Sequence, residues 1–319
     1  MNINIAKRIY AFDLLKCFAM FLVIYGHLLQ FFLPGGAQGK PIYSLIYSFH
    51  MALFMMVSGY FFFNSMGRYN FIEILKDKFF TLIVPSITYT CIAVLASICI
   101  RNDWTDCQQY LFDHLWFLKS LFCCQIAAFV LQKLNRFFLG GVIGIAFFYI
   151  FNRWQLSGMF PAFFMGMMLK KYDIWWKDEV NLLLLISLFT YIVSLVIRFS
   201  LAEYSPLIEI IVRFLIPLCG SLFIISLFWS TFRNYTKKNR WTDTFNYWGT
   251  KTKELYILQG LLFEFGLIYV WKYIHFNPIL FNLFYGPLFT LILMWIIIHL
   301  NELLQKNKIV NILLLGHLK

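Results

Sequence analysis

Three ionisable residues share the first apolar stretch of the chain, DLLKCFAMFLVIYGHLLQFF, which covers residues 13 to 32. In an α-helix Lys16 and His27 lie eleven residues apart, close to three full turns, and Asp13 lies about one turn before Lys16. An ionisable group in the middle of a membrane helix costs roughly 2.5–3.5 kcal/mol on insertion scales. We therefore expect this face of the helix to line the interior of a helix bundle or a wet cavity.

A second histidine, His50, lies in the next apolar stretch, within FHMALFMMVSGY. Counted from residue 42 it lies about 12 Å deep, and His27 lies about 9 Å from the outer end of its own helix. This similar depth predicts that the two histidines share one site. Imidazole titrates near neutral pH, so either histidine can act as a general base. Two histidines without nearby acids make a poor metal site, and none is predicted.

Structural alternatives exist for the same residues. A single membrane histidine can simply hydrogen-bond a neighbouring helix. Asp13 and Lys16 can form an ion pair at the membrane edge without a catalytic role. Further along the chain, Glu209 and Arg213 are four residues apart and are predicted to pair with each other. Gln259 and Glu264 are expected either to line a cavity or to tie helices together.

The composition indicates which elements must position these residues. The 319 residues are 61% hydrophobic and only 13% charged, whereas a soluble domain carries about 25% charged residues. Apolar runs of about 20 residues alternate with short polar patches, which is typical of a polytopic helical membrane protein. We predict one all-α domain over residues 1–319, a bundle of about ten transmembrane helices near 12–33, 42–63, 79–100, 114–132, 138–152, 157–170, 180–199, 207–231, 254–274 and 279–303.

The net charge of +12 is distributed as membrane topology requires, and it does not indicate a nucleic-acid partner. On this layout most Lys and Arg residues fall on the side of the N-terminus, in short clusters between apolar runs. The positive-inside rule then predicts that both termini are cytoplasmic. The first helix is expected to be retained as an anchor. The expected location is the cell membrane, inner or plasma, with multiple spans among membrane lipids.

The ordered motifs RIYAFDLLKCFAMFLVIYGH, FHMALFMMVSGYFF and HLWFL resemble the acyltransferase-3 family of integral membrane acyltransferases. In that family a basic residue precedes a histidine considered catalytic by ten intervening residues, which corresponds here to Lys16 and His27. The second motif corresponds at His50, Ser58 and Gly59, with Ala52 in place of the usual proline. This chain also has Lys76 and Lys78 where many relatives have paired arginines, and Gln259 where relatives often have histidine.

The resemblance implies an enzyme that transfers acetyl from acetyl-CoA to a sugar hydroxyl in capsule, exopolysaccharide or lipopolysaccharide. The implied catalytic residues are His27 and His50. The residues expected to bind the donor near the cytoplasmic side are Arg8, Asp13, Lys16, Lys76 and Lys78. The acceptor is expected to be a sugar or a lipid-linked glycan, and the alternative function is a transporter or flippase for such a glycan. A homo-oligomer stays an open alternative.

Overall fold

The fold is known from a computed structural model, which describes residues 10–32, 40–101, 113–132, 137–200, 206–234, 239–263 and 276–317. Every regular element within these ranges is a helix. The prediction of an all-α fold is therefore confirmed. Two of the predicted site and cavity residues, Arg8 and Glu264, lie outside the described residues.

The helices are numbered in chain order. They are α1 (Tyr10–Phe32), α2 (Pro41–Met66), α3 (Phe71–Lys78), α4 (Val84–Ala96), α5 (Trp116–Gln132), α6 (Phe137–Ile150), α7 (Leu156–Lys171), α8 (Asp173–Asp178), α9 (Val180–Ser200), α10 (Pro206–Phe232), α11 (Arg240–Thr250), α12 (Thr252–Leu262), α13 (Gly286–Leu304) and α14 (Lys308–Leu313). A π-helical segment, Phe79–Ile83, joins α3 to α4, and another, Phe281–Tyr285, leads into α13.

Six helical segments in the described ranges are long and apolar enough to cross a membrane. They are Tyr10–Phe32, Pro41–Met66, Phe71–Cys99, Val180–Ser200, Ile208–Phe232 and Pro278–Leu304. Shorter apolar helices cover Trp116–Leu131 and Phe137–Ile150. These results define a multi-pass membrane protein, but they do not establish the predicted number of ten spans. The predicted ninth span, 254–274, is described only as far as residue 263.

The centre of the bundle is formed by α1, α2, α7 and α10, with α2 packed most extensively against α7. Two glycines make this last crossing close. A Cβ atom on Gly59 would overlap the carbonyl of Phe163, and one on Gly166 would overlap the carbonyl of Met56. Small residues at a membrane helix crossing let the backbones approach, which replaces the missing hydrophobic driving force with van der Waals contact. Gly59 is thus a position of close helix packing within the unbroken α2.

Polar contacts hold together the end of the bundle where α1 begins, which we call the basic end. Asp173 of α8 accepts a hydrogen bond from the Tyr60 hydroxyl at 2.6 Å and ion pairs from Lys170 at 3.0 Å and Lys177 at 2.7 Å. Desolvation acts to raise the pKa of Asp173, but the hydrogen bonds from Lys177, Tyr60 and Lys170 outweigh it and lower the pKa. This network fixes α8 against α2.

The amphipathic α11 covers the start of α1 at the basic end. A Cβ on Gly249 would overlap the carbonyl of Asp13, so the two helices touch backbone to backbone there. Beyond α11, Glu254 of α12 is buried, and its Oε1 lies 2.8 Å from Nε2 of His317. This contact ties the C-terminal segment to the bundle. At the opposite, far end, the Tyr25 hydroxyl donates to the carbonyl of Asn282 at 2.6 Å. Specific contacts therefore tie helices together at both ends of the bundle.

Candidate active site

His27 lies near the far end of α1, and its ring orientation is set one turn further along the helix. Its Nδ1 is 3.2 Å from Oε1 of Gln30, and Nε2 of Gln30 donates to the Tyr43 hydroxyl at 2.6 Å. Because an amide oxygen can only accept, Nδ1 of a neutral His27 carries the proton. The lone pair of His27 is then on Nε2, which is the form a general base needs.

His50 is only 3% exposed and is held by its own helix. Its Nδ1 is 2.8 Å from the carbonyl oxygen of Ile46, so Nδ1 is the donor and the lone pair lies on Nε2. The Tyr47 ring packs edge-to-face on the imidazole, with centroids 4.7 Å apart. The two histidines are near enough to interact electrostatically.

His27 and His50 line one internal cavity of about 400 Å³, which we call the histidine cavity. The sequence-based prediction that helices α1 and α2 bring the two histidines to a common place therefore agrees with their positions. The polar side chains that complete its lining are Gln30, Tyr47, Ser48, Tyr89, Asp113, His114, Gln155, Tyr256 and Gln259. A cavity of this size, mostly apolar with a few convergent polar groups, is typical of a small-molecule site.

His114 and Tyr256 are among the lining residues that were not predicted as site residues. His114 stacks on Tyr89 with ring centroids 5.7 Å apart, and the following Leu115 has a left-handed backbone with φ of 48°. His114 is the first residue of the HLWFL motif, so the sequence does point to this position. Tyr256 follows from no local pattern, because only the packing of α12 against α1 brings it to the cavity.

Gln259 also reaches the histidine cavity, from α12. Its side chain is 2% exposed, and the amide oxygen has no hydrogen-bond partner within the described chain. A buried polar atom left unsatisfied costs about 1–3 kcal/mol. The amide is thus available to hydrogen-bond a molecule bound in the cavity.

A second, smaller cavity of about 110 Å³ adjoins the histidine cavity on the side of the basic end. Val23, Met51 and Tyr256 line both cavities. Lys253 and Thr252, at the start of α12, are among its polar residues, and Ser58 lies in its wall. The remaining lining is apolar and consists of Met20, Phe54, Leu82, Phe117, Leu118 and Leu121. We call this cavity the apolar passage.

The face of α1 follows this series of cavities. Lys16, Met20, Val23, His27 and Gln30 succeed one another at spacings of three or four residues, so they form one stripe along the helix. Met20 and Val23 line the apolar passage, and Val23, His27 and Gln30 line the histidine cavity. From Met20 to Gln30 the predicted stripe is therefore a wall of the interior, whereas Lys16 lines neither cavity.

The predicted donor-binding residues are near the basic end but do not form one cluster. Lys16 pairs with Asp13 at 2.7 Å, and its ammonium lies 5.7 Å from the centroid of the Phe61 ring. Lys78 pairs with Asp77 at 2.8 Å and lies near enough to Lys253 to interact electrostatically. Lys76 is exposed on α3. Lys253, which belongs to none of the motifs in the sequence, is the lysine that lines the apolar passage.

One prediction is wrong. Neither Glu209 nor Arg213 makes an ion pair among the described residues, although four residues separate them on α10. Arg213 instead lines a third cavity of about 650 Å³ at the far end, which we call the polar cavity. An i,i+4 pair contributes only about 0.3–0.5 kcal/mol, too little to hold a long side chain against another environment.

For metals, the described residues contain no cluster of three or more His, Cys, Asp or Glu able to hold an ion.

The described helices form a multi-pass membrane bundle in which the partly exposed His27 and the buried His50 line one cavity. The model of a family described as an acyltransferase domain matches residues 9–299. The chain therefore belongs to the acyltransferase-3 family.

Curated relatives match part of the chain. The nodulation protein NolL of Mesorhizobium japonicum is 31% identical over 140 residues, which is 41% of this chain and 38% of the relative. The nodulation protein NolL of Sinorhizobium fredii is 28% identical over 138 residues, 40% of this chain and 37% of the relative. The match spans somewhat more than a third of each relative's own length. No solved structure matches the chain.

Proposed function

We propose that the protein transfers the acetyl group of acetyl-CoA to a hydroxyl of a sugar in capsule, exopolysaccharide or lipopolysaccharide, at the inner or plasma membrane. The observation that carries this proposal is the position of His27 and His50 in one cavity, between an apolar passage from the basic end and a polar cavity at the far end. Donor and acceptor can then reach the histidines from opposite ends.

His27 is the proposed general base. Its Nε2 accepts the proton of the acceptor hydroxyl while the hydroxyl oxygen attacks the thioester carbonyl. The resulting tetrahedral intermediate collapses with cleavage of the carbon–sulfur bond. The imidazolium returns its proton to the departing thiolate, so the products are the sugar ester and free CoA. The bond to Gln30 keeps Nδ1 protonated and Nε2 aimed at the cavity throughout.

Gln259 supports the oxyanion step of this reaction. Both histidines present an Nε2 lone pair in their neutral form, so neither can donate to a developing oxyanion before it is protonated. The side-chain amide of Gln259 lines the same cavity and has N–H groups to donate. An amide donor of this kind typically contributes 10²–10³ in rate, as an order of magnitude.

His50 is the proposed binding group for the acceptor. Its Nδ1 is engaged by the carbonyl of Ile46, which leaves only the acceptor lone pair of Nε2. Of the roles open to His50, this arrangement favours accepting a hydrogen bond from a sugar hydroxyl. Orienting His27 is the task of Gln30.

The donor enters at the basic end on this proposal. The pantetheine arm is slender and carries two amides and a hydroxyl. On this proposal it runs through the passage from Lys253 to Val23, Met51 and Tyr256, where Thr252, Ser58 and Tyr256 can hydrogen-bond its polar groups. The phosphates of CoA would meet lysines of the basic end, with Lys253 and Lys16 as the first candidates and Lys76 and Lys78 as further ones. Arg8, which the sequence adds to this set, lies outside the described residues. Asp13 contributes indirectly because it holds the ammonium of Lys16.

The decisive experiment measures CoA release by the purified protein in nanodiscs with acetyl-CoA and a glycan acceptor. We expect His27→Ala to lose acetyl transfer by about 10²–10⁴-fold, the usual contribution of a general base. The matched control is His299→Ala, because His299 is exposed on α13 and hydrogen-bonds only within its own helix to Trp295 at 2.8 Å. Full acetylation by His27→Ala at normal expression would refute the role of His27.

A transporter or flippase of a lipid-linked glycan is the alternative, and the succession of three cavities from one end to the other favours it more than a single pocket would. The same assay separates the two functions. An enzyme releases free CoA when an acceptor is added, whereas a flippase moves the glycan across the bilayer without consuming a thioester.

A further inference from the structure

The polar cavity at the far end has the character of a binding site. Its volume of about 650 Å³ is in the usual range for small-molecule sites. It lies between the end of α6, the start of α7 and the first turns of α10. Its lining residues are Tyr149, Asn152, Gln155, Ser157, Gly158, Met159, Ile210, Arg213 and Phe214.

Arg213 is the one charged residue among these lining residues. It lies about 10 Å along α10 from the start of that helix, in an apolar segment whose one other charged residue is Glu209. A cation at such a depth is costly unless it faces water or a partner, and no carboxylate in the described chain is paired with it. Its guanidinium is therefore available to bind an anion in the cavity, with the planar fork that suits a carboxylate or phosphate.

The other polar groups of the cavity suit a sugar. Asn152, Gln155 and Ser157 bring amide and hydroxyl groups, and Oδ1 of Asn152 is anchored by the backbone N–H of Ser157 at 3.1 Å. Tyr149 and Phe214 contribute two aromatic rings whose centroids are 6.4 Å apart. Hydroxyls of a sugar ring can bond the amides, while its apolar C–H face can pack on the rings.

A distorted turn places Gln155 between the polar cavity and the histidine cavity. Trp154 and Gln155 both have left-handed backbones, with φ of 50° and 55°. Residues other than glycine adopt this conformation uncommonly, at a cost of about 1–3 kcal/mol each when it is strained. The turn is held by a hydrogen bond from the Ser120 hydroxyl to the carbonyl of Trp154, and the Lys119 ammonium lies 5.9 Å from the centroid of the Trp154 ring.

The two cavities share lining residues at this point. Gln155 and Met159 line both the polar cavity and the histidine cavity. A molecule bound beside Gln155 in the polar cavity is therefore next to the cavity of His27 and His50.

We propose that the polar cavity binds the acceptor and selects a sugar that carries an anionic group, carboxylate or phosphate, with Arg213 binding the anion and Gln155 contacting the sugar beside the histidine cavity. In naming the bound sugar as the acceptor, this inference rests on the proposed function. The binding itself does not depend on acetyl transfer and can be measured alone.

The test uses the full chain in phosphatidylcholine nanodiscs without acetyl-CoA. Thermal stabilisation is measured during titration with glucuronic acid, glucose 1-phosphate and glucose. We expect at least one anionic sugar to bind more tightly than glucose, and we expect Arg213→Gln to weaken that binding about ten-fold or more. Arg213→Lys should retain part of it. Arg68→Gln, at an exposed turn of the basic end, is the matched control and should change nothing.

Several results would overturn the inference. They are equal binding of all three sugars by the unmodified protein, no binding of any of them, or undiminished binding of the anionic sugars by Arg213→Gln. If Arg213→Gln does not fold, Ser157→Asp replaces it, because a carboxylate in the same cavity should repel the anionic sugars and spare glucose. A further result concerns lipid. If phosphatidylglycerol stabilises the unmodified protein but not Arg213→Gln, and no sugar stabilises the unmodified protein, the bound anion is a lipid headgroup and the inference is overturned.

His27→Ala separates this inference from the proposed function. The variant should bind the anionic sugar like the unmodified protein and lose acetyl transfer. If the chain binds anionic sugars through Arg213 but never releases CoA, the proposed function fails and the binding site remains. If the chain releases CoA with a glycan acceptor and the Arg213 variants bind sugars normally, only the binding site fails.

Discussion

Nδ1 of His27 lies 3.2 Å from Oε1 of Gln30, so a neighbour on the same helix fixes the tautomer of the proposed base. Gln30 is in turn fixed by the hydroxyl of Tyr43, at the start of the next helix, at 2.6 Å. The base is thus oriented by an amide and a phenol and not by a carboxylate. The first prediction concerns this arrangement.

Replacing Gln30 by Leu removes the acceptor for Nδ1 and leaves the imidazole free to adopt either tautomer. We expect kcat for acetyl transfer to fall about 10- to 100-fold, within the range that general-base catalysis contributes, with little change in KM for acetyl-CoA. Gln30→Glu should retain orientation but raise the pH needed for activity, because a nearby carboxylate stabilises the imidazolium. Gln305→Leu, at the other end of the bundle, is the control. A positioning role of Gln30 would be contradicted if Gln30→Leu kept its kcat and Gln30→Glu kept its pH profile.

Gln259→Leu tests the oxyanion donor. The variant keeps the volume of the side chain and removes its N–H groups, so we expect kcat to fall by about 10²–10³ while acetyl-CoA still binds. Gln259→His should restore much of the rate, since imidazole can also donate. Single-turnover measurement of CoA release separates the chemical step from binding. A normal chemical step in Gln259→Leu would exclude the amide from this role.

Lys253→Gln tests the donor entrance. Loss of a charge-assisted hydrogen bond to phosphate costs about 1.5–3 kcal/mol, so we expect KM for acetyl-CoA to rise at least ten-fold with a smaller change in kcat. The effect should shrink at high ionic strength, where the unmodified protein also binds CoA less well. Lys251→Gln is a close control, because Lys251 packs 6.0 Å from the Tyr247 ring and does not line the apolar passage. Equal effects of the two substitutions would point to general surface charge.

Asp173→Asn tests the network at the basic end and should lower thermal stability without altering the histidine cavity. Three donors hold the Asp173 carboxylate, and about 1–3 kcal/mol is a reasonable loss for a partly exposed group. Because the pKa of Asp173 is lowered in the folded protein, its contribution is fully present above the unfolded value near 3.9 and is lost as pH falls through the folded value. The difference in melting temperature between variant and unmodified protein should therefore be constant from pH 7 to about pH 4 and shrink at lower pH. A difference that does not shrink below about pH 4 would show that the charge is irrelevant.

The features that could be predicted from the sequence are those that helical periodicity and depth in the membrane determine. The stripe from Lys16 to His27 and the common cavity of His27 and His50 follow from a repeat of 3.6 residues and a rise of 1.5 Å, which local sequence controls. Tyr256 and Lys253 could not be found in this way. Their place depends on how α12 packs beside α1, which is a tertiary relationship between distant segments.

The Glu209 and Arg213 prediction was wrong for a related reason. Spacing on a helix gives two side chains the opportunity to meet, but a long Arg side chain follows the environment that satisfies its charge. Here that environment is the polar cavity, which helices α6, α7 and α10 form together. His114 is an intermediate case, since its motif was visible in the sequence and its stacking on Tyr89 was not.

Val23, Met51 and Tyr256, described above as a wall shared by the apolar passage and the histidine cavity, have a consequence for the cell. An enzyme fed from both ends of the bilayer would dissipate the membrane potential if its interior were one open pore. The two apolar side chains and the aromatic ring at the junction offer few hydrogen bonds to a chain of waters along which protons or ions could leak. On the proposed function, the same three residues let an acyl group pass inward while the bilayer stays electrically tight.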